Sequence, residues 1–384
     1  MACGWFGIQT WIGGQAIFVI LAKAFPAWGW SQLPELAGLG INLAQLGCFL
    51  FFWAINVFVI YRGIESIRIL LNIKAPLLIL LGLALLAWAY VRADGFGEML
   101  SRPSEFRAGG PKEGQFWGFF ALALTGNVAF WSTLALNIPD FTRYARSQRD
   151  QVLGQVIGLP TTMGLYSFIG VAVTSAALVI YRGLPEGQKK DLWNPVFLLN
   201  QFDNPLVLTV ALFALCLATL ATNIAANVVS PANDFSHLWP RRISFRTGGL
   251  ITGIIGILIQ PWKLLEGAAV YIDKWLVGYS LLLGAVGGVL IADYFVVRRA
   301  RLDLAGLYRR AGPYWYVGGF NPVALVSLLA GIAPCVPGFL RKVGVPGVAP
   351  FWEQLYGYAW FISFGVAFVL YVLLTWLTPA RKAA

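Results

Sequence analysis

The stretch Ala218-Thr-Leu-Ala-Thr-Asn-Ile-Ala-Ala-Asn-Val-Val-Ser-Pro231 lies in a long apolar segment, yet it carries polar side chains at a regular spacing. Thr219, Asn223 and Asn227 recur every four residues, and residues spaced in this way share one face of an α-helix. Polar groups are costly in an apolar helix of membrane-crossing length. The stripe therefore indicates either hydrogen bonds between helices or a binding site for a solute.

The composition around this stretch is that of a membrane protein. Of 384 residues, 58% are hydrophobic and only 12% are charged, whereas soluble domains carry about 25% charged residues. A water-soluble fold could not cover so much apolar surface, but a lipid bilayer can solvate it. The sequence therefore predicts an all-α, polytopic membrane protein, and the net charge of +11 is interpreted as a topology signal rather than as nucleic-acid binding.

Ten apolar segments are long enough to cross a bilayer, at about 20 residues each. They cover residues 2–24, 41–61, 68–91, 115–138, 155–181, 205–232, 248–263, 268–296, 320–340 and 354–377.

The connections between these segments alternate in charge. One set is rich in arginine and poor in acids, and it comprises Arg62, Arg68, Arg143, Arg146, Arg149, Arg241, Arg242, Arg246, Arg298, Arg299, Arg301, Arg309, Arg310, Arg381 and Lys382. The other set, around 92–113 and 182–203, mixes both signs. Because cytoplasmic loops of membrane proteins are enriched in Lys and Arg, we expect a multi-pass protein of the cell (plasma or inner) membrane with both termini in the cytoplasm.

The fourth segment contains a second polar stretch, Thr125-Gly-Asn-Val-Ala-Phe-Trp-Ser-Thr133, followed by Asn137-Ile-Pro-Asp140. Gly126 and Pro139 both weaken helical hydrogen bonding. Transporters often build binding sites in the middle of the membrane from such interrupted helices. The alternative for Pro139 is that it only marks the cytoplasmic end of the helix.

The polar residues of these segments suit a flat, uncharged solute. Trp5 and Gln9 lie one turn apart on the first segment, and with Trp131 they supply aromatic faces and a carboxamide, although tryptophan is also a common anchor at the membrane interface. A ring can stack on indole, and a carboxamide offers a donor beside an acceptor, as a ureide edge does. No Lys or Arg falls in the middle of a segment, so an anionic solute lacks a counter-charge.

At these residues the chain resembles the nucleobase–cation symporter-1 family, which includes permeases for hydantoin, allantoin, cytosine, uracil and purines. The matching stretches are Gly4–Gly13, Phe130-Trp131, Asn137–Tyr144, Ala218–Pro231, Gln260–Trp262 and Ile291–Phe295, and they keep the order of the family along nearly the whole chain.

The resemblance implies a leucine-transporter-like bundle of two inverted five-helix repeats with two further C-terminal helices. It implies that the first segment here corresponds to the third helix of the family, so that the first two helices are lacking and about ten helices are present. Residues 1–114 are then the remainder of the first repeat, 115–300 the complete second repeat, and 301–384 the two C-terminal helices and the tail.

The resemblance also implies roles for single residues. Trp5 and Trp131 match the tryptophans that sandwich the substrate ring, and Gln9 and Asn227 match the amides that hydrogen-bond it. Ala218, Ala221 and Thr222 match half of a sodium site, which is weakened because Ala221 stands where the sodium-dependent hydantoin member has a hydroxyl ligand. Asn223 has no implied contact with substrate, so we expect the Asn223→Ala change to be milder than Asn227→Ala.

The function predicted from the sequence is symport of a neutral planar nucleobase or ureide, such as uracil, allantoin or hydantoin, driven by a proton or sodium gradient. The expected partners are this solute and the lipid bilayer, with no nucleic acid, no protein partner, no structural metal and no cofactor besides the coupling ion. A transport-inactive remnant of the same family is the alternative. A membrane enzyme is disfavoured because the segments lack a histidine–carboxylate cluster or a nucleophile–base pair.

Overall fold

A computed structural model describes residues 1–62, 64–101, 103–267, 270–310 and 312–378, and it describes the backbone alone for 64–75 and 135. Within these ranges the regular structure is helical, and strand pairing is limited to the isolated bridges Glu35–Asn42 and Val317–Phe320. The basic residues Arg381 and Lys382, and the side chain of Arg68, lie outside the described part.

In chain order the helices are α1 (Ala2–Ala24), α2 (Leu43–Arg62), α3 (Ile64–Arg92), α4 (Phe96–Leu100), α5 (Phe116–Ser132), α6 (Leu134–Asn137), α7 (Pro139–Thr142), α8 (Gln148–Ile180), α9 (Glu186–Lys189) and α10 (Pro195–Asn200). They continue with α11 (Pro205–Asn227), α12 (Val229–Leu238), α13 (Phe245–Leu258), α14 (Pro261–Leu264), α15 (Val277–Ile291), α16 (Pro322–Ile332), α17 (Val336–Lys342), α18 (Pro350–Tyr356) and α19 (Ala359–Leu377). Two π-helical segments, Val270–Leu276 and Ala292–Val297, extend α15 at its ends.

Each of the ten predicted segments coincides with a helix or with a run of consecutive helices. In the described residues, seven of these helical runs are long and apolar enough to cross a membrane. The third, fourth and seventh segments hold shorter apolar helices, Pro76–Arg92, Phe116–Ser132 and Phe245–Leu258.

The chain forms two compact units that are interleaved along the sequence. The first consists of Met1–Pro103 and Pro139–Lys263, and the second of Ser104–Ile138 with the described residues from Leu264 onward. The two units are defined by contacts in space, and their boundaries differ from those of the predicted sequence repeats. The division into repeats stays a prediction.

In the first unit, α1 is the central helix and packs against α11, α2 and α13. A core of buried apolar side chains fills these contacts, including Phe6, Phe52, Leu212 and Ile224. The α2–α13 contact is closed by the indole nitrogen of Trp53, which donates to the carbonyl of Gly253 at 3.0 Å. Helix α1 is therefore surrounded by protein on several sides, and its Thr10 side chain contacts α11.

In the second unit, α15 packs against α19, α16 and α5. Gly284 and Gly288 allow the close approach of α19, since a Cβ atom at Gly284 would lie 2.5 Å from the carbonyl oxygen of Trp360 and one at Gly288 would clash with the carbonyl of Phe364. Glycines four residues apart allow two helices to approach closely, as they do here.

Two polar clusters hold the ends of the second unit. Asp293 forms an ion pair with Arg298 (2.6 Å) and accepts a hydrogen bond from the hydroxyl of Tyr371 (2.6 Å). On another segment, Lys342 and Arg341 both contact Glu353, and these hydrogen bonds hold the pKa of Glu353 below its ordinary value. Both clusters have internally paired charges, and we interpret them as structural.

Candidate functional site

The segment that carries the polar stripe is interrupted at the stripe's last residue. Helix α11 ends at Asn227, the next residue Val228 has φ −113° and ψ −47°, and α12 begins at Val229. Pro231 explains the break, because it has no N–H to donate to the carbonyl of Asn227 four residues earlier, and its ring crowds that carbonyl. Asn227 therefore combines a buried side-chain amide with a backbone carbonyl that has no helical N–H opposite it.

Helices α1 and α11 run antiparallel, and two contacts fix their register. The thiol of Cys216 lies 3.6 Å from the carbonyl oxygen of Gly13, and Asn223, about two turns further along α11, contacts Phe6 and Thr10. One more turn advances α11 by about 6 Å. Asn227 therefore lies at the level of the α1 turn that contains Trp5.

Asn223 is the centre of a buried polar cluster that joins three helices. Its Nδ2 donates to the carbonyl oxygen of Phe6 (3.3 Å) and to Oγ1 of Thr10 (3.1 Å) on α1, and to Oδ1 of Asn56 (3.1 Å) on α2. Its own Oδ1 accepts from Nδ2 of Asn227 at 3.0 Å. The side chains of Thr10, Asn56 and Asn223 are fully buried, so this part of the stripe links helices, as small polar residues in membrane proteins often do.

The two predicted residues of α1 differ in their surroundings. Trp5 is buried, with 7% of its surface exposed, and Gln9 is half-buried. Within the described part of the chain no hydrogen-bond partner is found for the Gln9 amide, whereas the next residue, Thr10, donates to Phe6 O at 2.7 Å. The amide of Gln9 thus remains available to a solute.

The residues proposed for a cation lie two turns before Asn227 on α11. Ala218 and Ala221 are buried, and Thr222 is half-buried. The hydroxyl of Thr222 donates to the carbonyl oxygen of Ala218 at 2.8 Å. Two candidate oxygens therefore lie side by side, and the lone pairs of the hydroxyl remain free to accept a cation. Ala221 adds no side-chain oxygen.

Trp131 belongs to the second unit, whereas Trp5, Gln9 and Asn227 belong to the first. It lies one residue before the end of α5, is half-buried, and contacts the ring of Phe130 with centroids 5.2 Å apart. The carbonyl of Ala129 accepts a hydrogen bond from the hydroxyl of Tyr279 at 3.1 Å. This hydrogen bond holds the part of α5 that carries Trp131 against α15.

The predicted interruption of the fourth segment is present, but its position differs from the expectation for Gly126. Helix α5 continues through Gly126, and breaks occur instead at Thr133 and at Ile138. The hydroxyl of Thr125, next to the glycine, donates to the carbonyl oxygen of Gly357 at 2.6 Å. Packing within the second unit therefore holds this part of the helix together, and α5 ends at Ser132, seven residues before Pro139.

Sequence reasoning did not single out Thr10, Asn56 or the pairing of Asp140. Asn56 is an amide within an apolar segment. Because a polar side chain at membrane depth costs free energy, its presence there indicates a hydrogen-bonding role that the sequence could have predicted. Asp140, in the first unit, pairs with Arg143 (2.9 Å) and accepts from Nδ2 of Asn233 (3.0 Å), which ties α7 to α12 just beyond the break at Val228.

An open cavity of about 520 Å³ lies elsewhere in the first unit, between α4, the end of α8 and α9. Four of its five charged lining residues form ion pairs, Arg182 with Glu98 and Lys189 with Glu186. None of the predicted binding residues lines it, and we do not assign it to the solute.

Comparison with known proteins identifies the family. The sequence model of the family described as a permease for cytosine/purines, uracil, thiamine, allantoin matches residues 1–363. The chain belongs to this permease family. This confirms the resemblance to the nucleobase–cation symporter-1 family, and the chain is a multi-pass membrane protein of that family.

Relatives within the permease family extend beyond this chain. It is 42% identical over 379 residues to a purine-uracil permease of Arabidopsis thaliana, of which it covers 61%. It is 37% identical over 385 residues to an allantoin permease of Bacillus subtilis, of which it covers 73%. The chain thus spans between three-fifths and three-quarters of the length of these two permeases.

Solved structures of one permease, Mhp1, share the fold. The whole chain superposes on 74% of inward-facing Mhp1 with a TM-score of 0.68 and 25% identity. A closed form of Mhp1, with bromovinylhydantoin bound, gives the same TM-score at 23% identity and shows the fold alone. The predicted all-α, leucine-transporter-like architecture is confirmed.

Proposed function

We propose that this permease moves a neutral, planar nucleobase or ureide, such as uracil, allantoin or hydantoin, across the cytoplasmic membrane, coupled to a sodium or proton gradient. The observation that carries the proposal is Asn227, a buried amide at the end of an interrupted helix and level with the α1 turn of Trp5. Interrupted helices supply polar backbone and side-chain groups at the depth where transporters bind their substrates.

The polar groups available to a solute in the first unit are the uncharged amides of Asn227 and Gln9, and the indole of Trp5 lies one turn from Gln9. Amides pair with the N–H and C=O edge of a ureide, and an indole face supports a flat ring. We also propose that the indole of Trp131, near the end of α5, stacks on the ring of the solute.

For the coupling ion we propose sodium or a proton, with candidate oxygen ligands on α11. The carbonyl of Ala218 and the hydroxyl of Thr222 are adjacent oxygens on α11, and hard cations prefer oxygen ligands. The methyl group at Ala221 removes one side-chain oxygen from the same helix, which favours weak sodium coupling or proton coupling.

The test is uptake and binding by the 384-residue chain in a host strain whose own nucleobase and ureide permeases have been deleted. Radiolabelled uracil, allantoin, hydantoin, cytosine and a purine are compared, with Asn227→Ala as the binding-defective control. We expect saturable binding of at least one solute and its loss in the variant. Binding without uptake would support the transport-inactive alternative, and the absence of binding to every solute would overturn the proposal.

A further inference from the structure

Four buried side chains form a hydrogen-bonded series that ends at Asn227. The series runs from Asn56 on α2 to Asn223 on α11, with Thr10 of α1 alongside, and then to Asn227. Three of the four side chains are fully buried, and Asn227 is 7% exposed. Buried polar groups are hydrogen-bonded, so the donor and acceptor ends of these amides are decided by the protein groups around them.

Two backbone carbonyls fix the orientation of the first two amides. Nδ2 of Asn56 donates to the carbonyl oxygen of Phe52 at 2.8 Å, and a carbonyl can only accept. Asn56 must therefore turn its Oδ1 toward Asn223. The carbonyl oxygen of Phe6 likewise accepts a hydrogen bond from Nδ2 of Asn223. The hydroxyl of Thr10 donates its hydrogen bond to the same carbonyl, so toward Asn223 it acts as an acceptor.

Nδ2 of Asn223 thus has three acceptors around it, from Phe6, Thr10 and Asn56. Rotating this amide by 180° would place its Oδ1 against all three, which would bury acceptors without donors at a large cost. The only orientation that satisfies the cluster leaves Oδ1 of Asn223 facing Asn227.

The orientation of the Asn223 amide in turn fixes the orientation of the Asn227 amide. Since Oδ1 of Asn223 is an acceptor, Asn227 must present Nδ2 to it, as the 3.0 Å contact shows. Oδ1 of Asn227 is then left for other partners. In the described part of the chain no group donates a hydrogen bond to this oxygen. It is also not one of the fully buried side-chain atoms that lack a hydrogen-bond partner.

We infer that Asn223 is a positioning residue that sets the hydrogen-bond polarity of the solute site. By holding Nδ2 of Asn227, it makes Asn227 present a carbonyl oxygen, and the solute must offer an N–H to that oxygen. The inference rests on the proposed function. The favoured substrates are ring ureides and imides with an N–H at the facing position, and a ring atom with a lone pair there is rejected.

The experiment compares uracil with two analogues of almost the same shape, in which one or the other ring N–H is replaced by a ring oxygen. Binding to the purified full chain is measured by competition. We expect one analogue to bind about 100-fold or more weakly than uracil, because a site built around a donor strongly rejects a solute that lacks it. The other analogue then serves as the reference for shape.

The decisive quantity is the ratio of the two analogue affinities. In Asn223→Ala the amide of Asn227 can rotate, and we expect the ratio to fall at least tenfold, whereas a purely structural role for Asn223 would weaken both analogues equally. Thr219→Ala is the matched control, since Thr219 lies one turn earlier on the same face and its hydroxyl joins no other described helix. The control is expected to keep the wild-type ratio.

If Asn223→Ala is not recovered as folded protein, Asn56→Leu is used in its place. It removes one of the three acceptors around Nδ2 of Asn223, and we expect the ratio of the two analogue affinities to fall about threefold. An unchanged ratio in both variants, or equal affinity of the wild type for both analogues, overturns the inference. If the wild type binds neither uracil nor any other solute of the panel, the proposed function itself fails, which is a distinguishable result.

Discussion

The amide of Asn223 donates to Oδ1 of Asn56 at 3.1 Å, across 167 positions of the chain and between two helices. Together with its bonds to α1, this contact lets one side chain hydrogen-bond α11 to both α1 and α2. The sequence alone ranked Asn227 above Asn223, whereas the structure shows Asn223 as the residue that hydrogen-bonds to two other helices.

We therefore expect Asn223→Ala to destabilise the protein more than Asn227→Ala. Removing the amide leaves the buried oxygens of Asn56 and Thr10 without their donor, and an unsatisfied buried polar group costs about 1–3 kcal/mol. Thermal unfolding of detergent-purified variants measures the difference, with Thr219→Ala as the control. Equal midpoints for Asn223→Ala and the control would contradict a role in assembly.

Trp131 is predicted to bind the solute through the face of its ring. Trp131→Ala should lower affinity by about tenfold or more, because base–aromatic stacking is worth about 1–3 kcal/mol. Trp131→Phe should lose less, since it keeps an aromatic face. Competition binding with the solute that the wild type prefers provides the measurement, and indistinguishable affinities for the two variants would exclude stacking.

Gly288 is predicted to be intolerant of any side chain. In Gly288→Ala the new methyl group would clash with the carbonyl of Phe364 on α19, and overpacking of this kind costs about 1–3 kcal/mol. The neighbouring Gly287→Ala change is the control, because its methyl group would make an ordinary contact of 3.7 Å with the Phe364 ring. The unfolding midpoint should fall for Gly288→Ala alone.

Coupling to sodium is expected to be weak, because Ala221 supplies no side-chain oxygen beside Ala218 and Thr222. Uptake in sodium buffer should exceed uptake in choline buffer only slightly, or should depend on a proton gradient. Ala221→Ser should increase the stimulation by sodium, whereas Ala225→Ser, one turn further along α11, should not. Strong sodium stimulation of the wild type, insensitive to a protonophore, would show that Ala221 is irrelevant to coupling.

The arginine-rich connections predict both termini in the cytoplasm. Reporter fusions after Arg146 and Arg299 should report the cytoplasmic side, and fusions after Arg107 and Lys189 the outer side. The reversed pattern of reporter activity would discard the topology.

The helices could be predicted from sequence because their apolar length is a property of each segment by itself. The burial of the polar stripe at Asn223 and Asn227 could be predicted because its four-residue period places both amides on one helix face. The series through Thr10 and Asn56 could not, since it depends on which helices pack beside α11. Gly126 misled for a similar reason, because the hydrogen bond from Thr125 to Gly357 and the packing around it override the weak helical preference of glycine.

The interleaving of the two units has a consequence for biosynthesis. Helix α5 is translated early, but Thr125 receives its acceptor only when Gly357 has been made, 232 residues later. At about 5–20 residues per second, this interval is roughly 10–50 s. During that time the nascent α5 must remain in lipid, or with the insertion machinery, with its threonine hydroxyl turned back on its own helix. Translation rate should therefore affect the yield of folded protein more for the second unit than for the first, which is complete once residue 263 has been inserted.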